Sequence, residues 1–185
     1  MKSKGFTMIE VLVALMIVSV GLLGMAALIT EAHKNIQETR QRATALHLAN
    51  DIVARMTANA GGLASYHGSV SAQNNQPPVL CSGNNANCSP AQVAAFDLWQ
   101  WSSNLIGSSS KNSGDSNIGG LIAPVACISV TNTDQVELEI AWRGKYPRSD
   151  SRTNDCGDDD ADFKSPANIK NDLRRMLIIK TRINV

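Results

Sequence analysis

Residues 1–30 read MKSKGFTMIEVLVALMIVSVGLLGMAALIT, and the character of the whole chain turns on this stretch. From Val11 to Ile29 it runs 19 residues without a charge, interrupted only by small residues such as Ser19, Gly21 and Gly24. At ~1.5 Å rise per residue a helix over that run spans about 28 Å, close to the hydrocarbon thickness of a bilayer. Lys2 and Lys4 precede it. The positive-inside tendency leaves that end in the cytoplasm and sends the remainder across. A secretory signal also begins with positive charge and an apolar stretch, and Gly24-Met25-Ala26 resembles a small-residue cleavage site. Glu10 fits that reading poorly, because a carboxylate at the rim of a membrane helix is costly and marks function by default. Two plainer roles compete. Thr7-x-x-Glu10 has capping-box spacing, and a carboxylate in the first turn opposes the positive end of the helix dipole. The spacing leaves capping and a dedicated role equally open.

Outward from this segment, the 185 residues suit one globular domain plus an appended helix. A net charge of +1 gives no global field to recruit nucleic acid. The 43% hydrophobic content is ordinary, but it is concentrated near the N-terminus, and the centre is rich in Asn, Ser and Gly. The four cysteines, Cys81, Cys88, Cys127 and Cys156, all lie beyond the apolar segment. An even count there points to disulfides in an oxidising compartment. Zinc is the competing reading, but no Cys-x-x-Cys occurs, and His33, His47 and His67 all precede the first cysteine.

From residue 30 to 60 the chain turns polar yet keeps helical periodicity, through Ala32, Ile36, Ala43, Leu46, Ala49, Val53, Met56 and Ala60. Gly61-Gly62 supplies a stop. A small-residue face poor in leucine suits packing on a sheet better than a coiled-coil seam. Residues 61–89 read as a long Gly/Ser/Asn/Gln/Pro loop. Ser89-Pro90 reads as a helix start, with Ala94, Leu98, Trp101 and Leu105 on one face as core. After a second loop at 107–120, three strands are expected at Val125–Thr131, Val136–Trp142 and Met176–Ile183. Asn132-Thr133-Asp134-Gln135 is the expected turn between the first two. The four cysteines allow three pairings. The preferred one is 81–88, closing a small loop, with 127–156 tying the loop after the second expected strand to the sheet.

Gly5-Phe6-Thr7-Met8-Ile9-Glu10-Val11-Leu12 resembles the processing motif of type IV pilins and related pseudopilins. The resemblance implies cleavage by a prepilin peptidase between Gly5 and Phe6, N-methylation of Phe6, and pairing of Glu10 with a terminal amine during assembly. It implies an α+β pilin fold, in which a long N-terminal helix, half membrane-spanning and half amphipathic, packs on a small antiparallel sheet. The corresponding regions are a leader at 1–5, a transmembrane and filament-core half at 6–29, an amphipathic half at 30–60, and a periplasmic globular domain at 61–185. Asp97-Leu98-Trp99-Gln100-Trp101 and the Val136–Trp142 strand look most like PilV-type minor pilins. The expected function is then that of a minor pilin helping to prime pilus assembly, for twitching motility and adhesion. The alternatives are a type II secretion pseudopilin and an adhesive or DNA-binding pilus-tip subunit. The expected partners are the peptidase, other minor pilins, the major pilin and the inner-membrane assembly machinery. The location implied is the bacterial inner membrane, single pass, and then the filament at the cell surface. Many major pilins have a proline in the membrane half of this helix. Here Ala26 and Ala27 stand in the equivalent stretch.

Other chemistry is thin. Asp155, Asp158, Asp159, Asp160 and Asp162 cluster beside Cys156, and Asp158, Asp160 and Asp162 are calcium candidates, but EF-hand spacing is absent. A solvated acidic loop is the default, with no metal. Arg174, Arg175, Lys180 and Arg182 lack interleaved aromatics, so strand-edge protection is favoured over nucleic acid as the primary partner. No phosphate loop, catalytic serine motif or His/carboxylate pair is present, so neither an enzyme nor a cofactor is expected.

Overall fold

The structure, a computed structural model, describes residues 5–71, 75–83, 87–108, 113–114, 117–132, 134–150, 152–158 and 160–184. Lys2, Lys4, Thr133 and Asp159, all named above, lie outside the described residues. Two compact units divide the chain at Arg40 and Gln41, inside the first helix.

Helix α1 covers Met8–Ala58. In the first unit its described residues from 5 to 33 are all exposed. Val11, Leu12, Leu15, Met16, Leu22, Leu23 and Leu28 present bare apolar side chains, with Leu28 at 74% exposure. Ser19 and Thr30 turn their hydroxyls back to the carbonyls of Met16 and Ala26, so neither leaves a donor unpaired. An all-apolar helix surface of this kind needs lipid or other helices to cover it.

In the second unit α1 becomes one-sided. Ala45, Leu48, Ala49, Ile52 and Met56 are buried at three- and four-residue spacing. They meet an antiparallel sheet of four strands in sequence order, β1 Gly68–Ser71, β2 Val125–Thr131, β3 Gln135–Arg143 and β4 Arg174–Arg182. Val70, Ala126, Ile128, Val136, Leu138 and Ile140 supply the sheet's side of that core. Alternation along β3 puts Val136, Leu138 and Ile140 inward and leaves Glu137 and Glu139 on the other face.

Helix α2, Pro90–Leu105, closes the core with Ala94, Trp101 and Leu105. Its start is a full capping box, Ser89 with Gln92, followed by Pro90. The buried Trp101 indole donates to the carbonyl of Leu48 at 2.8 Å, fastening α2 to α1. At the far end Gly107 takes φ +67° against the backbone of Ile118 and Gly120, an approach that a Cβ would block.

The loop expected over residues 61–89 is regular structure at its start. A 3-10 helix occupies Ala60–Tyr66, burying Leu63 and Tyr66, and β1 follows. β1 pairs with β2 in the register Gly68↔Ile128 to Ser71↔Val125. A Gly-Ser-Val-Ser strand has too little alternation to be seen locally. Its hydrogen bonds come from a partner nearly sixty residues away, so tertiary context overrides composition.

Candidate functional site

Thr7 and Glu10 form a reciprocal cap at the start of α1. The Thr7 amide and hydroxyl both donate to Glu10 Oε2 at 3.2 Å, and the Glu10 amide approaches Thr7 Oγ1 at 3.4 Å. Glu10 and Val11 also donate to the Thr7 carbonyl. The carboxylate therefore satisfies orphan donors at the positive end of the helix. It remains exposed, as does Phe6 at 84%. The apolar run behind it is long and apolar enough to cross a membrane, and none of it is buried within the chain. A capping carboxylate in water is unremarkable. The same carboxylate at the edge of a hydrocarbon layer has lost hydration and favours a second, cationic partner.

In the second unit the acidic loop is tied into the fold. Asp158 accepts from Lys170 Nζ at 2.8 Å and from Asn171 Nδ2 at 2.7 Å. The Lys170 bond first, and then that of Asn171, hold the Asp158 carboxyl below its ordinary value. Asp160 accepts from the Asp162 amide at 2.9 Å, capping the 3-10 helix Ala161–Phe163. Among the described residues no three His, Cys, Asp or Glu side chains gather as a metal would require.

Two disulfides join Cys81 to Cys88 and Cys127 to Cys156. The second ends in a small apolar cluster with Ala141, Phe163 and Met176, on the sheet face turned away from α1.

The basic residues near the C-terminus divide. Lys180 and Arg182 are exposed on β4 and pair across the strand with Glu137 and Asp134. Arg174 is fully buried and does not shield an edge. Its guanidinium donates to Asp150 Oδ2 at 2.8 Å and to the carbonyls of Asn154, Cys156 and Arg152 at 3.0, 3.1 and 3.4 Å. Nothing in the spacing of Arg174 predicted this role, since its partner Asp150 lies 24 positions upstream.

A second network went unseen in the sequence. Tyr66 donates to Asp97 Oδ2 at 2.6 Å and accepts from Asn59, while Arg55 reaches Asp51, Asp97 and Gln100. Burial first, and then the bond to the Asp97 carboxylate, push the Tyr66 phenol well above its ordinary value. These groups are positioned to join α1, the 3-10 helix and α2; no reacting geometry accompanies them.

Comparison with protein families gives two adjoining matches. Residues 1–26 match the prokaryotic N-terminal methylation motif, and residues 27–99 match the family described as type IV pilin Tt1218. Neither the curated proteins nor the solved structures contain a significant match.

Proposed function

We propose that this chain, a pilin-type subunit with a prepilin N-terminal methylation motif, is a minor pilin of the PilV type that helps to prime type IV pilus assembly. The observation that carries the reading is the order Gly5-Phe6-Thr7-Met8-Ile9-Glu10 directly ahead of a bare apolar helix. A prepilin peptidase cuts between Gly5 and Phe6 and methylates the Phe6 amine. That cut leaves the apolar helix attached, as a filament subunit requires. A cut beyond Ile29 would release a soluble domain instead.

The subunit waits in the inner membrane with its C-terminal domain in the periplasm. It then enters a filament in which neighbouring helices replace lipid around Val11–Ile29, while Glu10 meets the terminal amine of a neighbour. The ion pair offsets the desolvation of both charges, and a subunit out of axial register leaves the carboxylate unpaired. The role is structural, with membrane helices, other minor pilins, the major pilin and the assembly machinery as partners.

Mass spectrometry of the membrane-bound form tests the processing step, and the expected species begins at N-methylated Phe6. Deletion is expected to abolish surface pili and twitching while protein secretion continues. Intact pili with lost secretion would instead mark a secretion pseudopilin, and mature protein beginning after Ile29 would overturn the filament reading.

A further inference from the structure

We propose that Arg174 is a positioning residue for disulfide formation, holding the loop at residues 152–156 in place so that Cys156 meets Cys127 before any bond joins them. The inference is independent of the filament role. It starts from the geometry around one guanidinium. Arg174 is fully buried, the side chain of its partner Asp150 is 5% exposed, and three successive alternate carbonyls, of Arg152, Asn154 and Cys156, converge on its remaining donors. A fork of fixed N–H directions matches only one path of the loop backbone. The same loop is anchored a second time without covalent help, because Asn154 Nδ2 donates to Glu139 Oε1 on β3.

Glu139 is also the register partner of Cys127 on β2. Cys156 Sγ lies 3.8 Å from the Glu139 carbonyl oxygen. The two anchors thus deliver Cys156 to the strand beside Cys127. Chain length cannot make that choice. Cys127 is 29 residues from Cys156 and 127 − 88 = 39 from Cys88. Loop closure varies so slowly with length that these two closures differ by less than about twofold. A folded loop that holds the Cys156 thiol beside Cys127 does make it.

The bond forms when one cysteine thiolate attacks a small-molecule disulfide such as glutathione disulfide, expelling one thiolate. The second cysteine then attacks the mixed disulfide and expels the other. Two protein thiols lose two electrons and two protons, and glutathione disulfide is reduced to two thiols.

The test uses the full chain in detergent micelles, reduced, reoxidised with glutathione disulfide, quenched by alkylation and mapped by mass spectrometry. With Arg174 present, Cys127–Cys156 is expected as the sole bridge to Cys127. In Arg174→Gln that bridge should form about tenfold more slowly, the rate equivalent of losing one charge-assisted contact, and pairs between Cys127 and Cys81 or Cys88 should appear. Arg174→Lys should recover part of the rate. Equal rates and equal pairing in Arg174→Gln would overturn the proposal. Because that variant can also lose its fold, the double variant Cys127→Ser/Cys156→Ser supplies a second arm with Arg174 intact. Amide exchange protection at Arg152 and Asp158, which donate to Asp150 Oδ1 and to the Asp155 carbonyl, should stay within about threefold of the oxidised chain. Free exchange there would show that the bridge holds the loop, and the proposal would fall.

Discussion

Glu10 has two jobs to offer, and charge separates them. As a cap it needs only an acceptor at N3, a role that Gln fills as well. As an assembly contact it needs a negative charge. Glu10→Gln is therefore expected to leave the start of α1 folded and Phe6 processed, while pilus incorporation falls by an order of magnitude or more, read by immunoblot of sheared filaments. Undiminished incorporation would reduce Glu10 to a cap. Tyr66 gives a second prediction at this scale. Its phenol is held protonated by burial and by the Asp97 carboxylate. A folded pKa raised above the unfolded value means full stabilisation below about pH 10, lost progressively as pH rises and the unfolded phenol ionises. Urea midpoints followed by tryptophan fluorescence should fall above that pH, and Tyr66→Phe should flatten the fall. At neutral pH Tyr66→Phe should cost about 1–2 kcal/mol, because Asn59 and Asp97 each lose a buried partner.

Helix α2 is built from local signals that agree. Ser89 caps it, Gln92 reaches back, Pro90 needs no donor in the first turn, and Trp101 and Leu105 fall on the buried stripe. Ser89→Ala should therefore destabilise the fold by about 1 kcal/mol, visible as a lower thermal midpoint with unchanged disulfide pairing. β1 shows the opposite case. Only Val70 is buried, and the strand exists because β2 offers an open edge in the right register. β4 combines both cases. Leu177 and Ile179 alternate as a strand should, but the strand begins at Arg174, because that buried side chain is fixed by the loop upstream.

For the whole molecule, the second unit, Gln41–Val185, contains the sheet, α2, both disulfides and the buried part of α1. A chain starting at residue 41 is expected to be soluble and cooperatively folded with both bridges formed. The intact chain should partition into membranes and withstand alkaline carbonate extraction. A truncated chain without a sigmoidal urea transition would tie the fold to the apolar half of α1. The apolar run, the processing motif ahead of it, the capped α2 and three of the four strands were legible in the sequence. Each depends on neighbours within a few positions, and local spacing alone sets hydrophobic period and capping. The strand at Gly68–Ser71, the burial of Arg174 and the Arg55–Asp97–Tyr66 network came only with the tertiary structure. In each of these, a polar or featureless residue gains its role from a partner far along the chain. The same side chain in solvent would be an ordinary surface group, and only burial with that distant partner makes it structural.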